Sequence, residues 1–508
     1  MNDRSRVRIR AGAFAATAAV CASFALAAPA QAAVAIDTEE LRDAVTLDGV
    51  RAHQAAFQAI ADANGGTRQA GTPGHADSVE YVQTVLEDAG YATTIQPFTY
   101  DRETLVSSVF EQLSPAPTSY ALFDEYYPME SNAAVVDASL AGVDLALGDP
   151  TLSTSGCEAE DFDGFPSGDI ALIQRGACSF EQKTINAMDA GASGVIIFNQ
   201  GDAPTEDRSG MFYGTLGDTF AGIPVVSTTF DIGASLAAAT TTVRLGVEMT
   251  IDPVETMNLL ADSPTGRADR TVVVGGHLDS VGEGPGINDN GSGTAAILET
   301  AVQMADMDLE NRVRFAFWSG EEDGLLGSSY YVANLSKSEL KQIALNLNFD
   351  MVGSPNAVNF VYDGDGSAFG FTGPNGSNVI EDVFLDYFDE QGVPTEATAF
   401  DGRSDYLGFI DAGIPAGGLF TGAEGIKSEE QAALFGGVAG EQYDPCYHLA
   451  CDTYDNNSDD TLDLMSDAIA HATLTFAETT SAVNGTGKGK ANGHDKLDAE
   501  FRGSSAVR

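Results

Sequence analysis

The stretch Thr271-Val-Val-Val-Gly-Gly-His-Leu-Asp-Ser280, with Gly286-Ile-Asn-Asp-Asn-Gly-Ser-Gly293 shortly after it, says most about the fold of this chain. The apolar run predicts a buried strand, and polar residues follow where the run ends. Active sites of α/β enzymes lie at the carboxyl ends of strands. We therefore expect this strand to deliver His277 and Asp289 to such an edge of a sheet.

Residues of the same chemical kind occur downstream, most of them at the end of an apolar run: Glu321, Glu322, Asp350 and His448. Singly, each has an ordinary explanation as a core histidine, a solvated Glu pair or a helix cap. Together they would bury several carboxylates and imidazoles, and buried charges need partners or a metal. Zinc accepts such nitrogen and oxygen ligands, so the sequence predicts a two-metal hydrolytic site.

The chain of 508 residues is long enough for two or three domains with sizeable cores. From Val254 onward, β-like runs alternate with helical runs such as Thr294–Met304, the pattern of an α/β sheet. Upstream, Leu47–Ala89 is predicted largely helical and Tyr91–Thr99 a strand. Between Asp101 and Asp252, short β-like runs alternate with Gly-, Asp- and Ser-rich turns, which predicts a β-rich insertion.

Both ends of the chain read as segments outside the folded domains. Residues 1–32 combine a basic start, an apolar stretch from Ala11 to Ala28 and the small-residue site Ala30-Gln-Ala32. This pattern predicts a secretory signal cleaved after Ala32, and therefore an extracellular protein. The apolar stretch is too short for a typical membrane span, and no later segment is apolar enough for one. The Gly-, Lys-, Asn- and Ser-rich residues 481–508 are predicted to be disordered.

The composition is strongly acidic, with a formal net charge of −50. Removing residues 1–32, which hold four Arg and one Asp, leaves 21 basic and 74 acidic residues, or −53. Such a charge disfavours nucleic acid and anionic membranes as partners. Solubility outside the cell is the simpler explanation, and attraction of cationic peptide amino groups is the alternative. We expect a monomer.

The five cysteines predict two disulfides. Cys21 leaves with the signal, and an even number of cysteines in an oxidising compartment favours bridges. Proximity in sequence suggests the pairs Cys157–Cys178 and Cys446–Cys451. Zinc binding by Cys446 and Cys451 is the alternative, but only two thiols are available there.

Two known families resemble parts of the chain. The segments Ile173-Gln-Arg-Gly-Ala-Cys-Ser-Phe-Glu-Gln-Lys183 and Ala187-Met-Asp-Ala-Gly-Ala-Ser-Gly-Val-Ile-Ile-Phe-Asn199 resemble the protease-associated domain, a β-rich module inserted into several peptidases. The resemblance implies a lid or substrate-access role for this insertion.

Most of the remaining chain resembles the secreted two-zinc aminopeptidases, the leucine-aminopeptidase-like branch of the co-catalytic zinc exopeptidases. The matching motifs are Ala61-Asp-Ala-Asn-Gly-Gly-Thr-Arg68, His277-Leu-Asp-Ser-Val281, Gly286–Gly293, Glu321-Glu322, Leu347-Asn-Phe-Asp-Met-Val-Gly-Ser-Pro355, Asp401-Gly-Arg-Ser-Asp405, Gly418-Leu-Phe-Thr-Gly-Ala423 and Cys446-Tyr-His-Leu-Ala-Cys451. The implied fold is a mixed, mostly parallel sheet between helices. Residues 37–100 and 253–480 would form this peptidase domain, and residues 101–252 the insertion.

The resemblance also implies a role for each site residue. Asp289 would bridge both zinc ions, with His277 and Asp350 completing one site. Glu322 and His448 would complete the other. The remaining roles would be general base for Glu321, orientation of the far nitrogen of His277 for Asp279, oxyanion stabilisation for Tyr447, and contact near the substrate carbonyl for Arg403. Tyr406 departs from the family, which often has His there, so its packing needs a structure.

A calcium site is a further implication of the resemblance. Asp463 and Asp467 are one helical turn apart, and Asp43 is a candidate partner from the amino-terminal segment. Calcium prefers six to eight oxygen ligands, so two aspartates alone are too few. An exposed acidic helix face in a very acidic protein is the competing interpretation.

Three alternatives to an aminopeptidase that removes apolar, Leu-like N-terminal residues stay open. A carboxypeptidase of the same clan would use Arg403 to hold a terminal carboxylate. A glutaminyl cyclase relative would use one zinc ion and release ammonia. A receptor-like ectodomain can share the fold but has lost ligands, whereas every ligand position is filled here.

Overall fold

The structure is a computed structural model that describes residues 36–148, 153–201, 208–212, 214–217, 219–238 and 240–485. The proposed signal segment, residues 1–32, and most of the carboxyl-terminal tail lie outside the described residues, so both assignments stay predictions. Within the described part of the chain, no helix has the length and hydropathy needed to cross a membrane.

The described helices and strands alternate along the chain. The helices are α1 (Glu39–Ala44), α2 (Leu47–Ala63), α3 (Pro73–Asp88), α4 (Phe180–Asp189), α5 (Phe230–Ala237), α6 (Gly291–Met304), α7 (Leu326–Asn334), α8 (Lys337–Leu340), α9 (Ser377–Gln391), α10 (Leu407–Asp411), α11 (Glu429–Phe435), α12 (Asp459–Glu478) and α13 (Ser481–Asn484). The strands are β1 (Ala92–Ser114), β2 (Thr118–Ser119), β3 (Tyr126–Pro128), β4 (Ala133–Val143), β5 (Ile170–Gln174), β6 (Gly194–Phe198), β7 (Val225–Thr228), β8 (Thr242–Asp262), β9 (Arg267–His277), β10 (Asn311–Trp318), β11 (Ile343–Phe349), β12 (Phe360–Tyr362), β13 (Glu396–Thr398) and β14 (Ala416–Phe420).

The predicted mixed, mostly parallel sheet is confirmed. Its strands follow the order β13-β12-β14-β11-β9-β10-β8. The four central strands β14, β11, β9 and β10 are parallel, and β8 is antiparallel to β10 at one side. The central position of β9 explains its apolar run, because a strand between two neighbours in such a sheet is covered on both faces.

Helices pack on both faces of β9. The Gly-Gly pair before His277 allows the neighbouring side chains to come close to the strand on each face. A Cβ atom on Gly275 would lie 2.6 Å from the indole nitrogen of Trp318, in the cluster formed with α7 and α10. A Cβ atom on Gly276 would lie 3.3 Å from Ile297 of α6. Successive strand residues point to opposite faces, so larger side chains would collide on both.

A long two-stranded ribbon connects the main sheet to the insertion. Strands β1 and β8 pair antiparallel from Ala92 opposite Asp262 to Ser114 opposite Thr242. At one end β8 pairs with β10, and at the other it pairs with β4. The proposed insertion limits at Asp101 and Asp252 fall inside these two strands, which continue across them without a break.

The insertion has its own core, and its strands continue the order of the main sheet beyond β8. Its strands follow the order β4-β5-β6-β7-β3, and the insertion contains α4 and α5 in addition to the strands that the composition predicts. One apolar cluster includes Ile173, Phe180 and Val195, and another includes Phe110, Ile196 and Leu245. Phe110 belongs to β1, so the ribbon is part of the second cluster.

The beginning of the predicted tail is ordered. Helix α13 covers Ser481–Asn484, although residues 481–508 are predicted to be disordered. Val483 is buried, and the Asn484 side chain donates to the Ala344 carbonyl at 2.9 Å. These contacts are with distant parts of the chain, so local composition does not reveal them. The rest of the tail lies outside the described residues.

Candidate metal centre

The proposed ligands meet where neighbouring parallel strands end. His277 is the last residue of β9, and Asp350 follows β11 directly. Glu321 and Glu322 lie three and four residues beyond β10, and Asp289 precedes the N-cap of α6. Because the carboxyl ends of β9, β10 and β11 lie side by side, these groups converge, as the apolar runs predict.

His277 faces the carboxylates through its Nε2 atom. That atom lies 3.2 Å from Asp289 Oδ1, 3.3 Å from Asp350 Oδ1 and 3.9 Å from Glu321 Oε2. On the other side of the ring, Nδ1 lies 3.1 Å from the backbone carbonyl of Asp279. A carbonyl only accepts hydrogen bonds, so this contact favours the proton on Nδ1 and leaves Nε2 available to a metal.

Asp279 differs in detail from the sequence-based prediction. Its carboxylate lies 3.8 Å from His277 Nδ1, so the hydrogen bond to the ring is made by its backbone carbonyl instead. The carboxylate accepts from the Glu321 backbone N–H at 3.4 Å. A sequence motif cannot separate these two acceptors of one residue. Burial raises the pKa of Asp279 to about 8.

Asp289 lies between the two histidines. Its Oδ1 atom is 3.2 Å from His277 Nε2, and its Oδ2 atom is 3.2 Å from His448 Nε2. The second histidine also lies 3.0 Å from Glu322 Oε2. Each oxygen of one carboxylate thus faces a different imidazole, an arrangement that suits a ligand shared by two metal ions.

The centre holds more negative charge than its own residues balance. Asp279, Asp289, Glu321 and Glu322 are all buried, and so is Asp350. Burial raises the pKa of Glu321 well above its usual range, and Glu322 Oε1 is buried without a hydrogen-bond partner. Buried carboxylates are stable as anions only beside cations. The donor set therefore fits divalent metal ions, in two overlapping groups: His277, Asp289 and Glu322, and His277, Glu321 and Asp350.

The histidines respond to the same charge. Burial by itself would lower the pKa of His448, but Glu322 and Asp289 raise it to about 10. Burial likewise opposes protonation of His277, and Asp350 and Glu321 outweigh it. In a centre with bound metal, the cation takes the place of these protons, because a ligating imidazole is neutral.

Asp452 supports the backbone at Asp289, a role that sequence reasoning missed. Its two oxygens accept the backbone N–H groups of Asn288 and Asp289 at 2.8 and 2.9 Å. Asn290 links the same loop to the Asp350 turn, because its side chain donates to the Phe349 carbonyl at 2.9 Å. No local pattern reveals the Asp452 contact, since more than 160 residues separate the partners.

Two more supporting residues were not assigned from sequence. Arg68 is fully buried and donates to the backbone carbonyls of Leu278, Pro285 and Gly286, which lie between His277 and Asp289. Ser404 donates to Asp350 Oδ2 at 2.6 Å. Arg68 ends one of the quoted motifs, and Ser404 lies inside another, so the signal for both was present.

The loop around His448 is closed by a disulfide. Both bridges suggested by proximity are present, Cys157–Cys178 and Cys446–Cys451. His448 has φ of +57°, an unfavourable conformation for a residue with a side chain. Such conformations persist only where surrounding contacts fix them, and the second bridge is one such constraint.

Tyr447 and Arg403 lie together beside the ligands. The Tyr447 ring stacks on His448, with ring centres 3.8 Å apart. Arg403 donates to the Tyr447 hydroxyl at 3.2 Å and to Glu424 Oε1 at 2.8 Å. The Arg403 side chain is 41% exposed, so it is accessible to a ligand from outside.

Tyr406 has a defined position in this chain. Its hydroxyl donates to Asp401 Oδ1 at 2.9 Å and accepts the Gly402 backbone N–H at 2.8 Å. Asp401 Oδ1 also accepts the backbone N–H of Arg403 at 3.1 Å. Tyr406 therefore fixes the turn that presents Arg403.

The calcium prediction is only partly matched by geometry. Helix α1 packs against α12, and burial, with Asp463 and Asp43 nearby, raises the pKa of Asp467 to about 6. Among the described residues, the groups with three potential ligand atoms within 4.8 Å of one another do not include these aspartates. Calcium binding stays a prediction.

Comparisons with known proteins agree with the geometry. Residues 258–473 match Peptidase family M28, and residues 138–236 match the PA domain. An aminopeptidase of Pseudomonas aeruginosa is 49% identical over 437 residues, which are 84% of this chain and 80% of that protein. Leucine aminopeptidase 2 of Arthroderma otae is 38% identical over 453 residues, 87% of this chain and 86% of that protein.

Solved structures show the same fold. An aminopeptidase from Aneurinibacillus sp. strain AM-1 has a TM-score of 0.68 at 25% identity, with 91% of this chain and 99% of that chain covered. A zinc aminopeptidase from Bacillus subtilis has a TM-score of 0.56 at 24% identity, with 86% and 98% covered.

Proposed function

Because the chain belongs to peptidase family M28 and is an aminopeptidase with a PA domain, we propose that it removes apolar N-terminal residues from peptides at a two-zinc centre around Asp289. We infer two ions from the position of Asp289, whose two oxygens each lie 3.2 Å from a different histidine. His277 and Asp350 would hold one ion. Glu322 and His448 would hold the other.

Zinc, when bound, acts as a Lewis acid and lowers the pKa of water toward about 7. Glu321 is the general base: its carboxylate lies beside His277, and it is held on a loop whose backbone donates to Asp279. It accepts a proton from the attacking water and passes it to the leaving amine. Glu322, the next residue, contacts His448 instead and is assigned to metal binding.

Tyr447 and Arg403 are assigned to the substrate. Burial raises the pKa of Tyr447 well above its usual range, so the phenol keeps its proton and can donate to a developing oxyanion. Arg403 donates a hydrogen bond to the Tyr447 hydroxyl and is expected to lie near the substrate carbonyl. The surplus of buried carboxylates favours a cationic α-amino group, which explains cleavage of one residue from the N-terminus.

The alternatives receive less support. Arg403 is already paired with Glu424 at 2.8 Å, which reduces its capacity to hold the terminal carboxylate of a carboxypeptidase substrate. A one-zinc cyclase would not need Asp289 between two histidines. A non-catalytic ectodomain would not need Glu321, Glu322 and the other ligands together.

Export after cleavage at Ala32 and action as a monomer on peptide substrates complete the proposal.

The test of the function is the polarity of cleavage. We expect leucyl-p-nitroanilide to be cleaved at least on the order of 10²-fold faster in kcat/KM than its N-acetyl form, because acetylation removes the charge and adds bulk. A chelator should abolish the reaction. Equal rates on the two substrates would refute an aminopeptidase mechanism, and metal analysis giving one zinc ion per fully active chain would refute the two-zinc centre.

A further inference from the structure

The β1–β8 ribbon contacts the loop that carries Glu321 and Glu322. Arg102 of β1 binds the carboxylate of Asp323, with Nε 3.1 and 3.0 Å from its two oxygens and Nη2 2.6 Å from Oδ2. The Tyr100 hydroxyl donates to the same carboxylate. The Arg102 and Asp323 side chains are only 16% and 11% exposed. Two residues of the ribbon thus converge on the residue directly after the Glu pair.

The same guanidinium reaches a second supporting segment. Arg102 Nη2 donates to the Ala70 carbonyl at 2.7 Å. Ala70 is two residues beyond Arg68, which holds three carbonyls of the loop between His277 and Asp289. Arg102 therefore lies between the segment that contains Arg68 and the loop that carries Glu321 and Glu322.

The Glu321 loop is closed by its own backbone, because the Glu321 carbonyl accepts the backbone N–H groups of Gly324 and Leu325, both at 2.8 Å, but it has few close contacts inside the site. Gly320 and Gly324 flank it with φ of +70° and +115°, and a Cβ atom on Gly324 would meet nothing within 4 Å. Inside the site, the Glu321 backbone N–H has a long contact of 3.4 Å with Asp279, and its Oε2 is 3.9 Å from His277. The multiple contacts between Arg102 and Asp323 are shorter than either of these.

We propose that Arg102 is a positioning residue: through Asp323 it fixes the loop of Glu321, and so couples the ribbon that bears the PA domain to catalysis. The inference rests on the proposed role of Glu321 as general base. A displaced base loses rate steeply, since a misplacement of about 1 Å can cost on the order of 10²-fold. The PA domain would then influence turnover through the ribbon, in addition to any effect on substrate access.

A matched ion pair on the same ribbon provides a control. Asp262, the last residue of β8, binds Arg314 of β10 through contacts of 2.6 and 2.7 Å. Arg314 is 20% exposed, close to the 16% of Arg102, whereas Asp262 is 29% exposed and also binds Arg312 at 3.1 Å. This pair also holds the ribbon to the main sheet, but it does not contact the Glu321 loop.

The experiment compares Arg102→Gln, Asp323→Asn, their double variant and Arg314→Gln. We expect each of the first two to lower kcat by about 10- to 100-fold, with KM changed by less than about twofold and zinc content unchanged. The double variant should lose no more than one single variant, because both remove the same contact. Arg102→Lys should restore part of kcat. Arg314→Gln should lower Tm and leave kcat near that of the parent.

Normal kcat in Arg102→Gln, additive losses in the double variant, or an equal loss in Arg314→Gln would each overturn the proposal. If Arg102→Gln does not fold, the near-isosteric Asp323→Asn decides by the same criteria. Glu321→Gln distinguishes the proposed function from the proposed role of Arg102. If this variant turns over normally, the proposed function fails, whatever the Arg102 variants show. If it is inactive while Arg102→Gln is normal, only the coupling is wrong.

Discussion

Glu321 and Glu322 are adjacent in sequence but face different groups. Glu322 Oε2 lies 3.0 Å from His448, whereas Glu321 Oε2 approaches His277 at 3.9 Å. Backbone geometry at the end of β10 sends the first side chain toward one half of the centre and the second toward the other. One residue can then handle protons while its neighbour holds metal.

These positions predict opposite phenotypes for the pair. Glu321→Gln keeps the shape but cannot accept a proton, so kcat should fall by about 10²- to 10⁴-fold with zinc content nearly intact. Glu322→Ala should lose one zinc ion per chain. Steady-state kinetics and metal analysis of dialysed protein measure both, and Glu283→Gln, an exposed residue nearby, is the control. Exchanged phenotypes would reverse the two assignments.

At the scale of elements, the short loop closed by Cys446–Cys451 carries several functions. It contains Tyr447 and His448, and the residue that follows it, Asp452, binds the backbone of Asp289. Its bridge therefore constrains a ligand and also the support of a second ligand. The bridge Cys157–Cys178 lies in the insertion and closes a longer stretch of chain.

The two bridges should separate stability from activity. Chain entropy predicts a loss of about 3 kcal/mol without Cys157–Cys178 and about 2 kcal/mol without Cys446–Cys451, because the first loop is longer. The test replaces both cysteines of one pair by serine. We expect the variant without Cys157–Cys178 to lose more stability in urea titration but to keep kcat. The variant without Cys446–Cys451 should lose zinc and at least about 10-fold in kcat. The reverse pattern would show that the second bridge does not position His448.

At the scale of the whole molecule, the main feature is the large excess of negative charge. The formal net charge, −50 for the whole chain and −53 without residues 1–32, makes the folded protein repel itself. This repulsion weakens as salt shortens the Debye length from about 30 Å at 0.01 M to about 10 Å at 0.1 M. Local cation binding by acidic groups is a separate effect. The two can be distinguished because screening depends on ionic strength and not on the identity of the cation.

We therefore expect Tm to rise by a few degrees between 0.01 and 0.5 M NaCl, and equally in choline chloride. An additional rise in millimolar CaCl₂ at matched ionic strength, absent in Asp467→Asn, would support the proposed calcium site. Differential scanning calorimetry measures all three series. A Tm that is independent of NaCl would mean that charge repulsion is not a significant part of the stability.

The class of fold and most residues of the site can be predicted from the amino-acid sequence. The run Thr271–His277 predicted a buried strand, because a strand covered on both faces is apolar at successive positions. Polar residues directly after such runs had to meet at one edge, since the carboxyl ends of parallel strands are neighbours. The resemblance added the role expected of each residue.

The contacts that support these residues follow from the folded structure and not from local sequence. Asp452 with Asp289, Arg68 with the carbonyl of Gly286, and Arg102 with Asp323 are pairs separated by more than 160 positions. Local periodicity carries no information about such contacts, because the chain brings the partners together only when strands pair and helices pack. The choice of the Asp279 carbonyl over its carboxylate has the same origin. The carbonyl lies 3.1 Å from His277 Nδ1 and the carboxylate 3.8 Å, and this difference depends on how the backbone is packed in the folded molecule.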